Sequence, residues 1–202
     1  MIASILKLSR SDFQAMQNTS PSKIINVYSI HKMVYSLFPR IDNETRDFLF
    51  ADKGGNFNER HILILSKRPP QVPEHGRIES KRIPEFFLAF DAYCFEVRLN
   101  PVKRDKNSGK LIPVKKQEPL LEWFCSKSEQ WGFETDLNSL HIQRTDVQIF
   151  DKQDKQVTQN AATFIGKLKV RDRSLFINSF EQGMGRGKSF GFGLLQLVPI
   201  RA

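Results

Sequence analysis

Cysteine is scarce in this sequence: Cys94 and Cys125 are the whole supply in 202 residues. Two cysteines cannot build a disulfide framework, and these two lack metal-ligand spacing, so the reading is a reduced, cytoplasmic setting. Long apolar runs are missing too. Met1 to Leu8 holds a few apolar residues and then meets Ser9, Arg10, Ser11 and Asp12, far short of a signal h-region or a membrane span, so no membrane partner is expected. Acidic residues are the third shortage, 22 against 31 Lys and Arg, for a net charge of +9. A basic surface binds polyphosphates by releasing condensed cations, so nucleic acid is the first partner to consider.

What is present supports packed cores. Hydrophobic residues make up 40 % of the chain, with 17 Phe, enough for one large domain or two near 100 residues each. Met1 to Leu8 reads as a strand, followed by a polar stretch. Val27, Ile30, Val34, Leu37 and Phe38 recur at helical spacing, predicting a helix over 26–38 that Pro39 stops. Phe48 to Ala51 and His61 to Ser66 read as a hairpin joined through Gly54 and Gly55. Lys67 to Pro84 reads as loop, with a short strand before Phe86 to Phe90.

A second unit follows. Tyr93 to Asn100 alternates as a strand, Lys103 to Lys116 is a basic excursion, and Pro119 to Trp131 is a helix ending at Gly132. Leu140 to Phe150 and Thr163 to Val170 read as strands around a polar tip. Ser174 to Gln182 reads as a helix, and Gly193 to Ile200 as a closing strand. Strand, helix, strand, strand, helix, strand is the ferredoxin-like order, clear in the second half and partial in the first. The fold class expected is α+β, with two tandem ferredoxin-like domains over residues 1–90 and 91–202.

Two constellations could carry chemistry. Tyr28 and His31 lie three apart on one helix face. A histidine, with an ordinary pKa of about 6.5, moves protons in either direction near neutrality. Tyr28, with an ordinary pKa near 10, suits an orienting hydroxyl or a proton donor. On the residues alone, a structural His beside a Tyr is the competing reading. The second constellation is Gly183-Met184-Gly185-Arg186-Gly187-Lys188-Ser189-Phe190-Gly191-Phe192-Gly193. Five glycines in eleven residues open backbone N–H groups to a phosphate, and Arg186 and Lys188 add charge. It is no Walker loop, since Gln182 stands where the first Gly belongs and the run follows a helix. A helix cap and tight turn would explain one or two of the glycines. Asp42, Glu44 and Asp47 invite a metal, but beside Arg40 and Arg46 they read as a solvated charged turn. His61, His75 and His141 read as structural or exposed. Phe190 and Phe192 could stack on bases, with a core role favoured.

Asn26-Val27-Tyr28-Ser29-Ile30-His31, Leu37-Phe38-Pro39, Arg46-Asp47-Phe48-Leu49-Phe50, Phe95-Glu96-Val97-Arg98-Leu99-Asn100-Pro101 and the closing Gly-rich run with Leu194-Leu195 together resemble one family. It is the CRISPR-associated CasE endoribonuclease family of the RAMP superfamily, the repeat-RNA processing subunit of type I-E systems. The resemblance spans nearly the whole chain. It implies two RAMP-type, RRM-like ferredoxin domains and metal-independent cleavage of CRISPR repeat RNA at the base of its hairpin, leaving a 5′-hydroxyl and a 2′,3′-cyclic phosphate. It also implies no cofactor, retention of the cut RNA, and assembly with the other subunits of an interference complex. On this resemblance His31 is catalytic and Tyr28 assists. Gly183, Gly185, Arg186, Gly187, Lys188 and Ser189 hold phosphates near the cut. Lys152 and Lys155 sit where relatives carry a more basic hairpin, and Lys103 and Arg104 extend the RNA-binding set. A non-catalytic RNA-binding scaffold of the same fold would need the basic surface and the loop but not His31. A metal-dependent nuclease would need carboxylates clustered in a groove.

Overall fold

The computed structural model describes residues 1–19, 27–39, 46–56, 58–152 and 155–201, with the side chains of 17–19, 151, 152, 155 and 156 left out. The chain divides into two compact units. The first comprises Met1–Ile83, Phe150–Val157 and Ser189–Gly191, and the second Pro84–Ile149, Thr158–Lys188 and Phe192–Ala202.

In the first unit, β1 (Ile2–Ser9) leads into α1 (Arg10–Thr19) and α2 (Val27–Ser36), followed by β2 (Phe48–Gly55), β3 (Glu59–Ser66) and β4 (Arg77–Arg82). The strands order as β2-β3-β1-β4, antiparallel throughout. That is second, third, first, fourth, the ferredoxin-like arrangement. Residues 67–76 carry no helix between β3 and β4, so the first unit has that sheet with its second helix missing. Leu6 and Leu8 point to one face of β1, where Ile30, Val34, Leu37 and Phe38 cover them together with Phe48, Phe50, Ile62 and Ile64. Ile30 and Val34 are the buried stripe of α2, whereas Leu37 and Phe38, expected inside the helix, are buried just past its end at Ser36.

The polar stretch after the first strand, to which the sequence assigns no element, is helix α1. Its start is a capping box: Ser9 N–H and Oγ–H donate to Asp12 Oδ2 at 2.8 and 2.5 Å, and Asp12 N–H reaches Ser9 Oγ at 3.3 Å. Burial pushes the Asp12 carboxyl upward in pKa, but the bonds from Ser9 and from the Gly76 N–H outweigh it and hold the group below its ordinary value. Asp47 also departs from expectation. It is no solvated charge but accepts from Arg68 Nε at 2.7 Å with its side chain 17 % exposed.

The second unit contains β5 (Ala92–Leu99), β6 (Val102–Arg104), β7 (Leu111–Pro113), α3 (Gln117–Ser128), β8 (Phe133–Thr135), β9 (His141–Lys152), β10 (Lys155–Val170), α4 (Arg173–Gln182) and β11 (Gln196–Pro199). Its sheet runs β11-β5-β10-β8, with β9 paired to β10. Taking β5, β8, β10 and β11 as the four strands gives the same order as in the first unit. Tyr93, Phe95, Val97 and Leu99 alternate into the core. Much of the phenylalanine is used here: Phe124 stacks on Phe95 and Phe164, with centroids 5.5 and 4.6 Å apart. A 3₁₀ turn over Glu129–Trp131 ends at Gly132, φ +84°, where a Cβ would lie 2.3 Å from Phe176 N. Only glycine fits there.

Two expectations on strand extent change. The second arm of the long hairpin begins at Lys155 rather than Thr163, because a two-stranded ribbon can be polar on both faces and so looks like a loop. The closing strand is confined to Gln196–Pro199. Gly193, Leu194 and Leu195 are buried ahead of it without strand geometry. The basic excursion is the β6–β7 hairpin, closed by a turn in which Gly109 N–H donates to Asp105 O.

Candidate active site at His31

On α2, residues 28, 31 and 35 follow the three-and-four spacing and share one face. Tyr28 and His31 are nearly parallel, 11° apart with centroids separated by 5.6 Å, and Tyr35 lies 4.1 Å from the imidazole on its other side in sequence. Phe190 approaches at 5.2 Å and itself packs on Phe150 at 4.5 Å. All belong to the first unit. Lys32 Nζ lies 4.7 Å over the Tyr28 ring, a cation–π contact.

The decisive bond runs from His31 Nδ1 to the backbone oxygen of Ser189, 2.7 Å away. A carbonyl can only accept, so Nδ1 carries the hydrogen. In the neutral ring the lone pair is then on Nε2, and in the imidazolium Nε2–H is the acidic bond. One backbone contact thus fixes the tautomer of the neutral ring.

Arg46 and Tyr35, neither selected as functional from the sequence, join this cluster. Arg46 Nη1 donates to Tyr35 Oη and to Ser189 Oγ, each at 3.3 Å. Tyr35 could have been found by extending the Tyr28–His31 spacing by one turn. Arg46 has no such signal, since it precedes β2 and is brought to α2 by the tertiary fold.

The Gly-rich run is divided between the units. Ser189, Phe190 and Gly191 group with the first, and Gly183 to Lys188 with the second. All five glycines have positive φ, from +68° at Gly185 to +83° at Gly191. At Gly193 the reason is close packing: a Cβ would stand 2.3 Å from Met184 O, and the Gly193 carbonyl accepts from Met184 N–H. Part of the glycine content therefore serves the loop's own fold. Lys188 Nζ donates to Gln182 O at 2.7 Å, at the C-terminal end of α4, a favourable place for a cation. Arg186 is exposed. Phe192 is fully buried, as the core reading expects, whereas Phe190 is half-buried beside His31.

Of the remaining candidates, Lys103 is exposed, and Arg104 turns back to donate to Gly109 O at 2.7 Å. Lys152 and Lys155 lie on β9 and β10 at the hairpin end, with side chains outside the described residues. Asp42 and Glu44 also fall outside them. Among the described residues, no three His, Cys, Asp or Glu side chains gather as metal ligands do, and no helix is long and apolar enough to cross a membrane. His61 pairs with Glu59 at 2.6 Å, while His141 is exposed.

Known proteins agree with this architecture. A family model described as CRISPR associated protein matches residues 6–199. The CRISPR system Cascade subunit CasE of Escherichia coli K12 is 27 % identical over 188 residues, covering 87 % of this chain and 93 % of its own length. The CRISPR-associated endoribonuclease Cse3 of Thermus thermophilus is 30 % identical over 115 residues, 52 % of this chain and 54 % of that protein. A solved structure of CRISPR endoribonuclease Cse3 bound to a 19-nucleotide RNA matches with a TM-score of 0.83 at 21 % identity, over 98 % of this chain and 100 % of the other. That likeness carries the fold: α+β, with two tandem ferredoxin-like domains.

Proposed function

The chain belongs to the CRISPR-associated protein family, and from that premise we propose that it is an endoribonuclease that cuts CRISPR repeat RNA at the base of its hairpin. The relatives named CasE and Cse3 support this reading. The single structural observation behind the chemistry is the 2.7 Å bond between His31 Nδ1 and Ser189 O. It leaves Nε2 as the nitrogen through which a proton passes.

The reaction needs two proton transfers. The 2′-hydroxyl must lose its proton to attack the adjacent phosphorus in line, and the departing 5′-oxygen must gain one. His31 carries one of them through Nε2, and a well-placed acid or base of this kind contributes about 10² to 10⁴ in rate. Tyr28 assists from the same helix face. Cations and backbone N–H groups of the Gly-rich loop stabilise the extra charge on the phosphorane, with exposed Arg186 as the foremost candidate. The products are a 2′,3′-cyclic phosphate and a 5′-hydroxyl, formed without a metal or other cofactor. The cut RNA stays bound and the protein joins the other subunits of a type I-E interference complex in the cytoplasm. Residues 1–90 form the domain that carries the catalytic helix, and residues 91–202 the domain that carries the basic hairpin and the Gly-rich loop.

Substituting a deoxyribose for the ribose 5′ of the scissile phosphate tests the chemistry. The protein should bind the substituted hairpin and leave it intact, while cutting the all-ribose hairpin in EDTA. Cleavage of the deoxy substrate, or a requirement for added magnesium, would overturn the mechanism.

A further inference from the structure

We propose that Arg46 is a positioning residue for this reaction: by bridging Tyr35 and Ser189 through one nitrogen, it holds the His31 imidazole in the orientation that presents Nε2 to the RNA. The proposal rests on the reading of His31 as the proton-transfer group.

Nη1 of an arginine carries two hydrogens. In Arg46 one is directed to Tyr35 Oη and the other to Ser189 Oγ, both at 3.3 Å. Bonds of that length are individually weak, so their importance is geometric. Each acceptor belongs to a residue that also touches His31: the Tyr35 ring lies 4.1 Å from the imidazole, and the Ser189 carbonyl takes the Nδ1 proton. Joining these two residues fixes the ring's face and its edge together. The guanidinium is itself anchored, lying 5.8 Å over Phe48, a core residue that meets Tyr35 edge-on at 4.9 Å and stacks on Phe38 at 4.4 Å. The bridge therefore links the hydrophobic core of the first unit to the 3₁₀ turn bearing Ser189. A misplacement of about 1 Å at a reacting group can cost about 10²-fold in rate.

Single-turnover cleavage of a repeat-hairpin RNA by the full chain, measured beside RNA affinity and melting temperature, tests the proposal with His31→Ala as reference. Arg46→Met should cut about ten-fold or more slowly with affinity within about two-fold of wild type. Arg46→Lys keeps the charge and can reach an acceptor but loses the planar fork and its stacking on Phe48, so it should recover only part of the lost rate. Adding Tyr35→Phe and Ser189→Ala to Arg46→Met should cause little further loss, because the bridge is already gone. A wild-type rate in Arg46→Met would overturn the proposal, as would a loss tracking weakened affinity and a shallower salt slope, which would make Arg46 a phosphate contact. If Arg46→Met does not fold, the Tyr35→Phe/Ser189→Ala pair removes both acceptors and replaces it in the test, with the same slowing expected and a wild-type rate decisive against. His31→Ala separates the two layers: wild-type cutting by that variant refutes the role of His31, whereas an inactive His31→Ala beside a fully active Arg46→Met refutes only the bridge.

Discussion

At the scale of residues, the site depends on groups of two kinds. His31 and Tyr28 are side chains at helical spacing and can be selected from the sequence. The Ser189 carbonyl, which decides the tautomer of His31, is backbone, and every residue has one, so no sequence pattern marks it. The family resemblance points to Ser189 as a phosphate contact, yet in the fold both its carbonyl and its hydroxyl face the His31 cluster. The glycines are likewise only half legible. Their positive φ can be expected from clustering, but the packing of Gly193 on Met184 cannot. Gly193→Ala should destabilise the protein by about 1–3 kcal/mol, since its Cβ would meet Met184 O at 2.3 Å with φ at +82°. Chemical denaturation reads this directly, and an unchanged midpoint would show that the loop relaxes without cost.

At the scale of elements, periodicity locates α2, the β2–β3 hairpin, β5 and α4, because each buries one face of a regular repeat. It fails where polarity and regular structure coincide. The β9–β10 ribbon is polar near its tip and gives no alternation to read there. Helix α1 is legible in principle, since Ser9 and Asp12 form a capping box three residues apart, but its mostly polar sequence masks the signal. That cap has a pH signature. Asp12 is held below the ordinary value of 3.8 in the folded protein, so the stability it contributes is present above that value and is lost as pH falls through the folded pKa. Asp12→Asn should lower the denaturation midpoint at neutral pH, and the gap to wild type should narrow as pH drops below 3.8. A gap of constant size across that range would mean the carboxylate charge contributes nothing to the cap.

At the scale of the whole molecule, the net charge of +9 points to a polyanion but does not say which cations meet it. Ion pairs already use several: Lys7 with Glu79, Arg60 with Asp52, Arg68 with Asp47 and Arg98 with Asp146. Lys188 lies on a helix-end carbonyl, which makes exposed Arg186 the loop's stronger candidate for phosphate. Arg186→Ala should weaken hairpin binding and make the plot of log affinity against log salt shallower by about 0.7 to 0.9. An unchanged slope would place Arg186 away from the RNA. The two-domain fold is readable from strand and helix order, while the missing second helix of the first unit is not, because residues 67–76 look like an ordinary loop either way. The central claim is that a family member with this fold cuts RNA through His31, and one measurement addresses it most directly: cleavage of a repeat-hairpin RNA by His31→Ala in EDTA, with binding followed in the same samples. The expected result is wild-type affinity with cleavage reduced by about 10² or more; cutting at the wild-type rate would contradict it.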